Sequence, residues 1–497
     1  MTNDNPPPPK PSVNRRNQRL LQRRLIRRIE VLVFLLIVMV ALAYVFSNTP
    51  PSELARIKAS GTLVVATRNG PTTYYQGPSG PTGFEYDLVE AFARYLGVKV
   101  RWVFPHNGSN ILSMVEYGRV ELAAAGIAKT PQREQAVRFG PTYQTITQQV
   151  IYLSGRRRPR SVKDLIGKTI TVLANSSFSA RLQALKKKYP GLSWRTSLNT
   201  SAEELLYRVY KGQIDYTIDD SNDFMLNRRY YPQLVAAFNL GKPQKLAWAM
   251  RKNGDNSLYD ATVKFFAKIK KDGTLHRITE RYYGHVRNYD YVGTFTFMKY
   301  VETRLPKWIP LFKAAGKKYH INWRLLAAQS YQESHWNPNA VSPTGVRGLM
   351  MLTPPTAAHL GVKNLVDPEE SVMGGAAYLD EVLGWIPQSV KEPDRMWFAL
   401  ASYNVGFGHI LDAMAIARKL GKNQNSWTAI KDILPLLTQR KWYSLTRNGY
   451  ARGREAVTYV QNIRSYYDIL MWLKKHRDGQ SLKQPLPSSL QFLPPSL

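Results

Sequence analysis

An α/β domain followed by a mainly α domain, both behind one apolar N-terminal segment, is the architecture this sequence predicts. Three observations carry it. Strand and helix signals alternate from Gly61 to about Tyr283, and from Tyr300 onward the pattern reads as helix after helix. The length of 497 residues also exceeds what a single core fills, so two or three domains are expected.

The N-terminal segment comes first. Residues 1–30 are proline-rich and then arginine-rich, with arginines from Arg15 to Arg28 standing before an uncharged apolar run of 16 residues, Val31 to Phe46. A basic flank before such a run stays cytoplasmic and sends the remainder of the chain across the membrane. The run falls short of the roughly 20 residues of a spanning helix, and Ala41-Leu-Ala43 offers a small-residue cleavage pattern. Residues 31–47 are therefore either a signal or a retained anchor. Pro50-Pro51 reads as a linker.

Composition bounds the partners. The net charge is +34, from 69 basic and 35 acidic residues. That suits an anionic polymer or surface. Nucleic acid fits poorly, because the basic residues are spread along the chain without a recognition motif. With 0 cysteines there is no disulfide framework and no thiolate metal site. The 8 histidines show no metal-ligand pairing. His335 reads as a surface or supporting residue, and neither a metal nor a cofactor is expected.

The α/β domain is placed at 55–292. Gly61-Thr-Leu-Val-Val-Ala-Thr is a short buried strand, Gly83 to Gly97 an amphipathic helix closed by glycine, and Val98 to Val103 the next strand. Repeated units of this kind predict a largely parallel sheet. Three stretches then stand out: Gly83-Phe-Glu-Tyr-Asp87, Gly126-Ile-Ala-Lys-Thr130-Pro-Gln-Arg133, and Gly212-Gln-Ile-Asp215-Tyr-Thr-Ile-Asp-Asp220. Together they resemble the periplasmic amino-acid-binding proteins of solute-binding family 3. The resemblance implies two lobes that close on a ligand. It gives Arg133 the ligand carboxylate, through two parallel hydrogen bonds from a planar guanidinium, and gives Asp220 the ligand ammonium. Gly126 matches the family pattern, but Ala128 stands where a hydroxyl is usual, which points to a carboxylate ligand with a different body, such as a peptide; a muropeptide or an amino-acid-like ligand is expected. Tyr74 and Tyr75 are candidates for the pocket wall and equally for the core, and Arg133 with Asp220 also suits a structural pair between lobes.

The helical domain is placed at 298–477, and the Pro/Ser/Leu-rich tail at 478–497 is expected to lack order. Trp323 to Glu333 has the apolar period of a helix, with Glu333 near its C-terminal end. There the macrodipole gives an ionised carboxylate no help. Apolar neighbours should raise its pKa toward what a general acid needs. Ser342 to Thr353 predicts a turn at Gly348 entering an apolar segment, Phe398 to Gly406 sets Tyr403 beside Asn404, and Glu455 to Ile463 is a helix carrying Tyr459.

These blocks, in this order, resemble the goose-lysozyme-like SLT domain of lytic transglycosylases. The resemblance implies a lysozyme-like helical fold and glycan strands of peptidoglycan as substrate, cut between N-acetylmuramic acid and N-acetylglucosamine to leave 1,6-anhydro ends. Glu333 would be acid and then base, with Ser334, Tyr403, Asn404 and Tyr459 orienting the sugar or the acid. Met351 replaces a glutamine common among relatives. Asp367, Glu369, Glu370 and Glu455 are candidates for a second carboxylate, or else exposed capping residues. The alternatives are a hydrolytic muramidase and a periplasmic receptor with an inactive second domain. The fusion implies a periplasmic, membrane-associated enzyme with a ligand-binding regulatory domain, at the outer membrane by resemblance or at the inner membrane if residues 31–46 are retained.

Overall fold

The computed structural model describes residues 26–39 and 50–477, apart from 78–79, 106–110, 175, 199, 287–290 and 343–344. The expected cleavage pattern, the whole of the expected tail and part of the expected membrane segment lie outside them. The chain divides into a short unit, Met1–Ser60, and a large one, Gly61–Leu497. In the first, residues 26–39 and Glu53–Ser60 are helical. Among the described residues no helix is long and apolar enough to cross a membrane.

The large unit opens with β1 (Thr62–Ala66), whose leucine and valines are buried. In α1 (Phe84–Leu96), Phe84, Leu88, Val89 and Phe92 recur at helical spacing and are buried, and Gly97 closes the helix in the left-handed conformation. β2 (Lys99–Val103) and β3 (Leu122–Ala123) pair parallel to β1 on either side. Next come α2 (Pro131–Ala136), capped by Thr130, and β4 (Val137–Phe139).

The chain then leaves this lobe through β5 (Gln144–Ile146). β6 (Gln148–Leu153), β7 (Thr217–Asp220), α3 (Ser221–Asn227) and β8 (Leu234–Asn239) belong to the second lobe, whose three-stranded sheet has the order β7-β6-β8 and is antiparallel. β9 (Gln244–Leu246) pairs with β5 on the way back, and β10 (Ala249–Arg251) inserts antiparallel between β3 and β4. The expected parallel sheet is therefore corrected to a mixed one. A chain that returns from the other lobe enters the first sheet from the opposite end, so β10 must run against its neighbours.

After α4 (Thr274–Tyr283) the elements are almost entirely helical. α5 (Leu305–Lys318), α6 (Trp323–Ser334), α7 (Pro368–Trp385), α8 (Asp394–Val405) and the 25-residue α9 (Gly453–Arg477) enclose one apolar core that holds Phe312, Leu326, Leu379, Phe398 and Ile463. α6 packs against both α5 and α9. That packing positions the site.

Candidate active site and ligand cleft

α6 begins at its cap Asn322, whose side chain accepts from the Arg324 N–H, and ends with His335 in the left-handed conformation. Its last turn presents Glu333 to α9. The Tyr459 hydroxyl donates to Glu333 Oε1 at 2.5 Å. Burial pushes the Glu333 carboxyl up to about 8, and the Tyr459 hydrogen bond acts the other way. No other charge acts on it among the described residues. Burial and the neighbouring Glu333 together push the phenols of Tyr403 and Tyr459 well above their usual range.

The segment facing α6 is the turn expected at Gly348, and the apolar residues 349–351 continue the turn. Gly348 has φ +89°, and a Cβ there would stand 1.9 Å from the Leu365 carbonyl oxygen, so only glycine fits. The turn delivers the Leu349 carbonyl to two hydroxyls, those of Ser330 at 2.9 Å and Ser334 at 2.9 Å. It also delivers the Met350 carbonyl to the Tyr403 hydroxyl at 2.9 Å. Met351 comes next at φ 49°, in the left-handed region. Ser334 is 8% exposed and spends its hydroxyl on backbone oxygens, so it pins the turn rather than reaching for a sugar. Asn404 is exposed at the end of α8 beside Tyr403.

The candidate second carboxylates have structural work. Asp367 caps α7, and Glu370 accepts from the Lys363 and Asn364 N–H groups. Glu455 is exposed beside Arg452, and no described contact joins Glu369 to Glu333.

Sequence reasoning missed Gln329, one turn before Glu333 on α6. It is fully buried, and neither its Oε1 nor its Nε2 has a hydrogen-bond partner in good geometry. It faces the Tyr459 phenol closely enough to act on its acidity. An amide inside an apolar helical run gives no sequence signal beyond being out of place.

In the cleft between the lobes, Arg133 donates to the Ala128 carbonyl at 2.9 Å. Burial lowers the Arg133 pKa, nearby Arg68 lowers it further, and Asp220 opposes them. Burial raises Asp220 to about 7, with Asp223 adding to the rise and Arg68 and Arg133 opposing it. Arg133 and Asp220 face each other without an ion pair among the described residues, and Asp220 Oδ1 is buried without a partner. Gly126 donates its N–H to the buried Glu85 at 3.0 Å. Arg68, missed in the sequence, donates to the carbonyls of Ala125 and Gly126 and adds a second guanidinium. A lone arginine just after a buried strand was its only signal. Tyr74 packs among Tyr86, Trp102 and Phe104. It is half-buried in an aromatic cluster, and no described contact joins it to Arg133 or Asp220.

Among the described residues no group of histidines and carboxylates is arranged to hold a metal ion.

Residues 63–285 match the family of bacterial extracellular solute-binding proteins, family 3, and residues 310–426 match the transglycosylase SLT domain. The chain is 46% identical over 449 residues to a protein of Saccharophagus degradans named membrane-bound lytic murein transglycosylase F, covering 90% of this chain and 89% of that one. It is 48% identical to the protein of the same name from Stutzerimonas stutzeri, over 87% of this chain and 89% of that one. Among solved structures, a mutant of ArgBP from T. maritima aligns with a TM-score of 0.43 at 22% identity, over 46% of this chain and 99% of that one.

Proposed function

The chain belongs to the membrane-bound lytic murein transglycosylase F family, and from that premise we propose that Glu333 serves as both the acid and the base of its reaction. The enzyme cuts the β-1,4 bond between N-acetylmuramic acid and N-acetylglucosamine in peptidoglycan and leaves 1,6-anhydromuramic ends. With its pKa near 8, Glu333 is protonated at neutral pH and ready to give its proton to the glycosidic oxygen. The C1–O bond breaks through an oxocarbenium-like transition state. Glu333, now a carboxylate steadied by the Tyr459 hydroxyl, takes the proton of the muramic C6 hydroxyl as that oxygen bonds to C1. No water is consumed.

The observation that carries this reading is the isolation of Glu333. A hydrolase needs a second carboxylate within about 5–9.5 Å of the first, close enough for its charge to act on the acid. Burial and one phenol are the only influences on Glu333 among the described residues. We assign Tyr459 to hold the acid, Gln329 to steady Tyr459, and Asn404 to contact the sugar. Ser334 and Tyr403 fix the turn at Gly348 that faces the acid.

The first domain is the ligand-binding regulatory domain. Arg133 and Arg68 suit a carboxylate, and Asp220 and Asp223 suit an ammonium, which is the chemistry of an amino acid or of the peptide part of a muropeptide. The family name carries membrane association, and we assign export to the arginine-flanked apolar segment.

The test is digestion of purified peptidoglycan by the full chain and by Glu333→Gln, with product ends read by mass spectrometry. Ends lighter by one water than hydrolysis products, absent with the variant, are expected. Reducing ends would refute the single-acid mechanism, and cleavage by the variant would remove Glu333 from it.

A further inference from the structure

Two adjoining cavities of about 380 and 260 Å³ lie where α4 meets the helical domain, and they share Arg281, Pro393, Trp397 and Arg464 as walls. The smaller is bounded by three guanidiniums, Arg229, Arg281 and Arg464, against one carboxylate, Asp468. His285 also lines it. Burial, together with the neighbouring arginines, draws its pKa down to about 4, so it adds no charge at neutral pH.

Among the described residues, only Arg229 of the three guanidiniums has its ion-pair partner in the wall of the smaller cavity. Asp468 is committed to Arg229 at 2.5 Å and to His285 at 3.0 Å. Arg281 pairs with Asp87 at 2.9 Å, and Asp87 lines the larger cavity and not the smaller. Arg464 has no ion pair among the described residues. Its guanidinium lies over the Trp397 ring and gives one hydrogen bond, at 2.7 Å, to the backbone oxygen of Arg281. It is 8% exposed, and burial draws its pKa down to about 10, with Asp468 and Asp394 opposing the fall and Arg281 and Arg229 adding to it. Arg229 is 5% exposed and its Nε is buried without a partner. Buried guanidinium donors left over from pairing are what an anion site supplies.

We infer that the smaller cavity binds a small oxyanion, a carboxylate or a phosphate, held by Arg464 and Arg229 with Arg281 at its edge. The planar forks match either group with parallel hydrogen bonds. A volume of about 260 Å³ falls below that of typical drug-sized ligand pockets and sets the ligand near the size of one amino acid or one acidic sugar. The site is separate from the two already described, because neither Arg133 and Asp220 nor Glu333 and Tyr459 line it.

The test is calorimetric titration of the full chain in detergent with sodium phosphate and, separately, with N-acetylmuramic acid, against sodium chloride at matched ionic strength. Binding of at least one probe is expected to be at least tenfold weaker in Arg464→Gln and in Arg281→Gln and to persist in Arg133→Ala, which removes only a further equivalent held in the cleft of the first domain. Arg281 is the second variant because its side chain is 43% exposed and its replacement is the gentler one. Phosphate alone, the sugar acid alone, or both would each support the site and name its preferred anion. No saturable binding by either probe at about 10 mM, well above a Kd of about 1 mM, would overturn it. So would heat reproduced by chloride, or binding that survives Arg464→Gln and Arg281→Gln and disappears in Arg133→Ala.

Discussion

Tyr459 lies on the last described helix and Glu333 on a helix far earlier in the chain, yet the phenol of the first donates to the carboxyl of the second at 2.5 Å. The bond favours the ionised carboxylate and so offsets part of the rise that burial imposes. Tyr459→Phe removes the donor while keeping the ring. The Glu333 pKa is then expected to climb above about 8, moving the basic limb of kcat/KM to higher pH while kcat falls, since the carboxylate that must accept the C6 proton loses its support. A pH–rate profile checks this. An unmoved basic limb would separate the phenol from the acid.

The same shift makes a statement about stability. Glu333 has a folded pKa of about 8 against the usual 4.5, so the native state holds its proton where the unfolded chain has released it. The contribution is fully present below about 4.5 and is lost as pH rises toward about 8, at up to about 1.4 kcal/mol per pH unit across that window. Glu333→Gln does not titrate. Its melting temperature, relative to the parent, is expected to gain steadily from pH 5 to pH 8 and to level off above. A gap between the two proteins that does not change with pH would contradict a raised pKa.

At the boundary between domains the sign reverses. Charge pairing, with Arg229 the strongest contributor and His285 also donating to it, holds the Asp468 carboxyl down at about 2 although burial opposes this. Its contribution is present above the unfolded value and disappears as pH falls through about 2. Asp468→Asn leaves Arg229 buried without its counter-charge. A loss of about 3 kcal/mol at neutral pH is expected, the low end for breaking a buried pair, because the Asp468 side chain is 33% exposed. Denaturant unfolding of the two proteins measures it, and a loss below about 1 kcal/mol would class the pair with surface ion pairs.

The helical period was enough to place Glu333 at the end of its helix and Tyr459 within another, because both lie in strongly patterned segments. It could not show that Ser334 turns back onto the Leu349 carbonyl, since that depends on a turn shaped by Gly348. Strand signals located β1 and β2, but the direction of β10 depends on a crossing between lobes that no local pattern encodes. Arg229, His285 and Asp468 come from three distant segments, and each alone reads as an ordinary charged or polar residue. Their meeting is a property of packing between domains. Tyr74 was ambiguous for the same reason, and the structure sets it in a half-buried aromatic cluster with Tyr86, Trp102 and Phe104.

Gln329 offers the sharpest separation of function from stability. A fully buried amide with neither atom well paired costs about 1–3 kcal/mol per stranded group, whereas leucine at the same place fills similar space with no polar atom to satisfy. If the amide had no part in the reaction, replacing it would leave turnover unchanged. Its place beside the Tyr459 phenol gives it a reason to stay, because an amide there limits where the phenol hydrogen can point. Gln329→Leu is therefore expected to raise the melting temperature and lower kcat together, with KM little changed, while Gln329→Asn loses activity without the gain in stability. Calorimetry and turnover on the same preparations read both. A leucine variant that gains stability and keeps full turnover would remove Gln329 from the positioning of Tyr459, and one that loses stability would mean its amide is satisfied after all, for instance by a buried water.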